Sequence, residues 1–322
     1  MLRDLITPKS FRGDVVAGGT TVLVIAAGLW EMRVVGEVDP IVRTLVLGLC
    51  WIYVLTLALR SEPHDEQPRV YQSVLYVEAL LLAGLTFAAF ASVIWDDGWL
   101  AGRDAKAVVL ALLTVHAAWL SRTRNSAVCT LLAAAGFAAT APTALLWAFG
   151  DDQIGAARWL LLVISLGYVL KAVRWHTDQP AHALAYAEAA GLALVGLAVT
   201  WTGMLLPLPG GGGGLPIPGL EVSAASPAFG WTIVILCAGL GLIGYGGVQR
   251  ERGPAWIGAL LLLHFCVLEQ DGGFWGWPLV LVLVAGLLLV AGLRPSTPAP
   301  PEPDSGLPPS DPVHFPRLRK ER

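Results

Sequence analysis

Apolar residues dominate this chain in long uninterrupted runs, and polar or charged residues gather between the runs. Each run is about 20 residues long, which is the length an α-helix needs to cross the hydrocarbon core of a bilayer. The strands of a membrane β-barrel would instead alternate apolar and polar residues over about ten positions. The pattern predicts an all-α, polytopic integral membrane protein with about ten transmembrane helices. The predicted spans are residues 15–35, 41–59, 70–95, 105–120, 127–149, 157–173, 181–205, 229–248, 254–268 and 277–293.

The composition agrees with a membrane protein and excludes several other classes. Hydrophobic residues make up 55% of the 322 residues and charged residues only 14%, whereas soluble domains carry about 25% charged residues. The net charge of −3 offers no basic field for nucleic acid. The four cysteines lie within apolar runs and lack the CxxC spacing of metal and redox sites. The sequence therefore predicts a lipid bilayer as partner, no nucleic acid, no metal and no cofactor.

The distribution of charge predicts how the helices are oriented. Most Lys and Arg residues lie at the termini or in the connections after the second, fourth, sixth and eighth spans. Because cytoplasmic segments are enriched in Lys and Arg, we expect both termini on the cytoplasmic side of the cell membrane. The opposite connections carry acidic pairs, Asp96-Asp97 and Asp151-Asp152. Glu31, at that outer end of the first span, is typical of a membrane interface.

Short motifs recur in the same order in two parts of the chain. The motif HDEQP at 64–68 lies ahead of Glu78, and HTDQP at 176–180 lies ahead of Glu188. Recurring landmarks are the sequence signature of an internal repeat. Because each repeat holds an even number of spans, the two copies share one orientation. The sequence predicts a parallel duplication of a four-helix unit behind an initial pair of helices (2+4+4).

This duplication divides the chain into five segments. A cytoplasmic N-terminal segment, the initial helix pair, the two four-helix units and a cytoplasmic tail occupy residues 1–13, 14–60, 61–174, 175–294 and 295–322. The second unit contains a long outer loop at 206–228, whose run of glycines and prolines predicts a flexible linker. The proline-rich tail is predicted to be disordered. Its basic end makes anionic lipid a candidate partner, although a solvated tail is the simpler interpretation.

Three titratable side chains within the spans are the leading candidates for a binding site. Glu78, Glu188 and His116 lie inside apolar runs, where an ionisable group is costly and commonly functional. At 1.5 Å per residue, Glu78 lies about 12 Å and His116 about 9 Å from the same membrane face, with Glu188 near the depth of Glu78. The hypothesis is a polar pocket between the two units, where both glutamates bind a cation or proton and His116 relays or pairs. Alternatively, each glutamate pairs with an arginine or extends to its helix end and only stabilises the bundle.

Three other residues rank lower as candidates. His264 lies near mid-membrane without a counterpart in the repeat, which is typical of a hydrogen-bonded packing residue. Tyr76 and Tyr186 lie two residues from the glutamates, nearly on the opposite helix face, as interface anchors do.

These observations leave three functional classes open. The first is a transporter or permease that moves a small solute or ion, with Glu78 and Glu188 as a route for proton coupling. The second is a non-catalytic scaffold, sensor or partner subunit. The third is a membrane enzyme that acts on a lipid-linked substrate, for which the acidic pairs would be the candidate site. The sequence favours the first class over an enzyme and carries no signal for an oligomeric state.

Overall fold

A computed structural model describes residues 13–61, 68–95, 102–207, 214–216 and 228–268. Within these residues there are nine α-helices, one 3-10 helix (Asp151–Gln153) and two short strands. The helices are α1 (Gly13–Val34), α2 (Pro40–Arg60), α3 (Val70–Ile94), α4 (Arg103–Arg124), α5 (Ala127–Phe149), α6 (Ile154–Trp175), α7 (Pro180–Thr202), α8 (Phe229–Gln249) and α9 (Arg252–Leu268). The strands are β1 (Met204–Pro207) and β2 (Gly214–Pro216).

Helices α1 to α8 are each long and apolar enough to cross a membrane, and α9 is a shorter apolar helix of 17 residues. The first nine predicted spans each coincide with one of these helices, with ends displaced by a few residues. The tenth predicted span at 277–293, the tail and the Asp96-Asp97 pair lie outside the described residues. The prediction of apolar helices long enough to span a membrane is confirmed, and the count of ten stays a prediction.

Local sequence explains where several helices begin and end. Asp39 precedes α2, and its Oδ1 accepts a hydrogen bond of 2.7 Å from the Ile41 backbone N–H, as an N-cap does. Asn125 adopts the left-handed conformation (φ 49°) that ends α4, a role that asparagine tolerates. Ser126 then caps α5 by accepting from the backbone N–H of Cys129. The turn between α4 and α5 is therefore set by two adjacent polar residues.

The helices pack as hairpins along the chain. Helix α2 packs against α3, α4 against α5, α6 against α7, and α8 against α9. The odd-numbered helices also contact one another in order, from α1 to α3, α5, α7 and α9. The proposed unit boundaries, after residues 60 and 174, each fall inside a closely packed hairpin. The packing repeats every two helices, and the duplication of a four-helix unit stays a prediction.

The helix ends that flank four connections, α2–α3, α4–α5, α6–α7 and α8–α9, lie on one side of the helices, called the basic end below. Arg124 of α4 donates to the carbonyl of Leu59 in α2, and His182 of α7 bonds Asn125 after α4 at 2.9 Å. These contacts bring the ends of α2 and α4 and the start of α7 together. The same end carries Arg60, Arg69, Arg122, Lys171, Arg174, Arg250 and Arg252.

Large apolar side chains remain exposed along the outer faces of the helices. Val15, Leu45, Val115 and Leu170 are among them. Contiguous exposed apolar surface of this extent is unfavourable in water. The faces fit a lipid environment, which the length and composition of the helices indicate independently.

Glycines allow α8 and α9 to approach closely. A Cβ atom at Gly258 would lie 2.6 Å from the carbonyl oxygen of Gly239, and one at Gly246 would lie 2.8 Å from that of Glu251. Small residues at such crossings permit backbone contact between membrane helices. A Cβ atom at Gly241 would meet no atom within 4 Å, so only some of the glycines in α8 serve this contact.

The outer loop contains regular structure close to α7. Strands β1 and β2 pair antiparallel, with Leu206 opposite Leu215 and Pro207 opposite Gly214. The described residues of the predicted flexible linker thus form a short β-ladder. Glycine and proline content alone does not predict this backbone hydrogen bonding.

Candidate functional site

Glu78 is buried between α1 and α3. The residue as a whole is 4% exposed. Its Oε1 accepts a hydrogen bond of 2.5 Å from the Thr21 hydroxyl of α1. Oε2 is buried and has no hydrogen-bond partner among the described residues. An unsatisfied buried carboxyl oxygen is costly, which keeps Glu78 a candidate for binding a proton or cation.

Glu188 occupies a different environment on α7. It is half-buried beside Tyr245 and Glu251. A Cβ atom built at Gly253 would overlap with its Oε1, so Gly253 is in close contact with the carboxyl. Glu188 therefore faces the α8–α9 turn, whereas Glu78 faces α1. Helices α3 and α7 do not pack against each other within the described residues, and α5 contacts both. The contacts place the two glutamates in separate surroundings.

His116 lies among aromatic rings. Its ring meets that of Trp51 edge-on at a centroid distance of 5.5 Å and that of Trp119 at 5.7 Å. Nε2 is buried and lacks a hydrogen-bond partner in the described part of the chain. The neighbours of His116 are therefore tryptophans of α2 and α4, and no described hydrogen bond joins it to either glutamate.

Of the three lower-ranked candidates, two are buried in the protein interior and one lines a cavity. Tyr76 is buried in the core close to Ser61 and Arg124. His264 is fully buried, and its Nδ1 donates to the carbonyl of Leu260 in its own helix at 2.9 Å. Tyr186, in contrast, lines a cavity.

This cavity of about 730 Å³ lies among α4, α5, α6 and α7 and is called the α4–α7 cavity. Asn125 and Gln179 line it at the basic end. Thr114 lines it ten residues before the end of α4, about 15 Å along the helix axis. This length is about half the thickness of a hydrocarbon core, which is about 30 Å. Its other lining residues are Ala118, Ser121, Arg122, Thr130, Ala133, Ala134, Phe137, Tyr168, Lys171, Trp175, His182 and Tyr186.

Lys171 presents its ammonium group to the aromatic wall of the cavity. Nζ donates a hydrogen bond of 2.6 Å to the hydroxyl of Tyr186. It also lies 4.3 Å from the ring centroid of Tyr186 and 4.7 Å from that of Trp175, within the range of cation–π attraction. Aromatic rings therefore hold the position of this cation on the cavity wall.

A chain of hydrogen bonds follows another side of the cavity. The Ser121 and Thr130 hydroxyls are 2.5 Å apart, and Thr130 Oγ1 lies 2.7 Å from Nδ1 of His182. Nε2 of His182 lies 2.9 Å from Asn125 Oδ1. Because an amide oxygen only accepts, Nε2 carries a proton in this arrangement. Four polar side chains from three segments are thus fixed relative to one another.

A neighbouring cavity of about 550 Å³ opens at the same end of the helices. It shares Asn125, Gln179 and His182 with the α4–α7 cavity. Asp178, which is exposed, lines this neighbour. The basic end therefore presents two adjoining polar recesses.

Sequence reasoning did not single out Lys171 or His182. A usable signal was present, because His182 and Tyr186 in α7, and Lys171 and Trp175 in α6, are four residues apart. Residues at this spacing share a helix face, so each helix shows a polar-aromatic pair toward its end. Such pairs do not indicate a site by themselves, because helix ends usually carry these residues at a membrane interface.

Comparison with protein-family models, curated protein sequences and solved structures finds no match to this chain. Among the described residues, no three His, Cys, Asp or Glu side chains are placed to hold a metal ion. The functional argument therefore rests on the geometry of the helices and of the α4–α7 cavity.

Proposed function

We propose that this chain is a permease-type membrane protein that binds a small polar solute in the α4–α7 cavity and moves it across the bilayer. The observation that carries the proposal is a cavity with hydroxyl, amide, imidazole and ammonium groups between helices long enough to span a membrane. Polar groups within membrane helices generally face an interior cavity or pathway. Its volume of about 730 Å³ matches sites for small molecules.

Proton coupling through Glu78 is the finer part of this proposal. The buried Oε2 without a partner among the described residues supports it, since a proton or cation would satisfy that atom. Glu188 lies beside Glu251 and away from α3, so any proton that it binds would be bound at a site separate from that of Glu78. Glu78→Gln keeps the shape and the bond from Thr21 but removes the titrating group. If solute flux through the Gln variant responds to a pH gradient as fully as in the wild type, Glu78 does not couple protons to transport.

The cavity is proposed to open toward the cytoplasm. The basic end carries most of the Lys and Arg residues of the described segments, and such residues favour the cytoplasmic side. In this arrangement the half of the bilayer beyond Thr114 separates the solute from the outside. A permease must therefore have a second state in which that half opens.

Thiol accessibility from both faces tests this function without knowledge of the solute. The four native cysteines are replaced, and Ala118→Cys is introduced on the cavity wall, with Val115→Cys on the exposed apolar face of the same helix as control. Membrane-impermeant charged maleimides are applied to right-side-out and inside-out vesicles. A permease predicts that Ala118→Cys reacts from both faces while Val115→Cys stays unreactive.

The alternatives predict other outcomes in the same experiment. A scaffold with a dry interior predicts no reaction at Ala118→Cys from either face. A sensor or a membrane enzyme predicts reaction from one face under every condition. For the enzyme, replacement of the Asp151-Asp152 pair would in addition abolish turnover of lipid-linked substrates.

A further inference from the structure

The α4–α7 cavity has a strong charge bias. Its charged lining residues within the described part of the chain are Lys171 and Arg122, and no described Asp or Glu lines it. Arg174 lies beside Lys171 in a shallow recess at the same end of α6. The exposed Asp178 lines the adjoining cavity instead. The described lining of the α4–α7 cavity therefore offers a ligand positive charge and no carboxylate.

The hydrogen-bonding capacity at Lys171 is only partly used. No described carboxylate forms an ion pair with its ammonium group. Of the three N–H donors of an ammonium, one serves the hydroxyl of Tyr186. Because the Tyr186 oxygen accepts that bond, its own O–H proton is directed elsewhere. The ammonium and the hydroxyl are thus adjacent donors, 2.6 Å apart on the cavity wall, and such a pair suits an anionic oxygen.

The surroundings of these donors are aromatic and apolar. Trp175 stands on one side of the ammonium, and the ring of Tyr168 lies 5.8 Å from that of Tyr186. The Tyr168 hydroxyl donates to the carbonyl of Ala134 at 2.8 Å, so its ring is held in place. Such a wall matches a ligand with an apolar body next to its charged group.

We propose that the α4–α7 cavity selects a small organic anion, a carboxylate or phosphate joined to an apolar or aromatic body. Lys171 and Tyr186 bind the anionic group, and the rings of Trp175 and Tyr168 flank the body. The inference rests on the proposed function in one respect, that the cavity admits a ligand. A dissolved solute and the headgroup of an anionic lipid present the same chemistry, and the experiment separates them.

The test uses the full chain in nanodiscs of phosphatidylcholine, titrated calorimetrically with benzoate, phenyl phosphate and neutral benzamide. The variants are Lys171→Gln, Lys171→Arg and Tyr186→Phe, with Lys106→Gln as a control that retains the cavity lining. Thermal unfolding of each variant checks that it is folded. We expect at least one anion to bind at least tenfold more tightly than benzamide, and Lys171→Gln to abolish that difference. Lys171→Arg should retain it, Tyr186→Phe should reduce it, and Lys106→Gln should leave it unchanged.

A second arm replaces part of the phosphatidylcholine with phosphatidylglycerol. If the natural ligand is a lipid headgroup, phosphatidylglycerol raises the unfolding temperature of the wild type but not of Lys171→Gln, and it competes with benzoate. If the ligand is a dissolved solute, benzoate binding is unaffected by the lipid. The inference is overturned if neither the anionic probes nor phosphatidylglycerol show a preference that depends on Lys171. A cavity that reacts with thiol reagents yet lacks this preference refutes the inference alone, whereas an unreactive cavity refutes the proposed function as well.

Discussion

The buried ion pair between α1 and α2 provides a direct test of how these two helices pack. Glu31 and Arg43 are 8% and 5% exposed, and the guanidinium donates to both carboxylate oxygens, with Nε 3.2 Å from Oε2. Removing one member of a buried pair typically costs about 3–5 kcal/mol, because the remaining charge is left without its partner. Replacing both members costs much less. The pair therefore predicts strong coupling between the two positions.

A double-mutant cycle measures that coupling. The variants are Glu31→Gln, Arg43→Met and the double variant, with the exposed Arg33→Met as the matched control. Arg43→Met should lower the free energy of unfolding by about 3–5 kcal/mol, whereas Arg33→Met should change it by about 0.5 kcal/mol or less. Reversible unfolding in mixed detergent micelles, followed by circular dichroism, provides the values. Coupling of about 2 kcal/mol or more is expected between the two sites, and additivity within about 0.5 kcal/mol would refute the pair.

Two further predictions concern helix packing elsewhere in the chain. Gly258→Ala would place its Cβ 2.6 Å from a backbone oxygen of α8 and should destabilise the protein by about 1–3 kcal/mol through overpacking. Gly241→Ala, with open space around its Cβ, should not lose stability in the same unfolding assay; equal losses would contradict the close crossing of α8 and α9. Arg158 donates from Nε and Nη2 to Thr200, each at 2.9 Å. Since bonds to charged groups are worth about 1.5–3 kcal/mol each, Arg158→Met should cost about 3–6 kcal/mol. The exposed Arg174→Met should stay near wild type, and similar melting curves for the two variants would show that the Thr200 contacts do not stabilise the fold.

The helices were predictable because their signal is local. Apolar runs between charged turns locate a membrane helix without knowledge of its neighbours. Caps such as Asp39 and Ser126 then fix the ends. The first nine predicted spans coincide with described helices for this reason.

The environment of a polar residue was harder to predict because it depends on which helix packs alongside. The sequence predicts that Glu31 lies at the membrane interface, but the side chain is buried against Arg43 of the next helix. Glu78 and Glu188 occupy matching places in the sequence motifs yet face α1 and the α8–α9 turn. Depth along a span follows from counting residues, whereas the direction a side chain faces depends on the packing order of all the helices.

The lining of the cavity was likewise predictable only where it depends on residues close together in the sequence. The sequence ranks Tyr186 below the glutamates and does not single out Lys171. They come together because α6 and α7 pack as a hairpin, and their contact at 2.6 Å joins residues 15 positions apart. The pairs spaced by four residues were visible in the sequence, but the enclosing contribution of α4 and α5 was not.

Collision accessibility of a spin label tests most directly whether the α4–α7 cavity admits polar solutes from water inside the membrane, as the proposed permease requires. A label is attached at Ala133→Cys on the cavity wall and, in a separate sample, at Val115→Cys on the exposed apolar face. Relaxation by a polar nickel chelate and by oxygen is compared in a bilayer. The account predicts that the chelate reaches position 133 and that oxygen dominates at position 115. Dominance of oxygen at both positions would show that the cavity is dry and contradict the account.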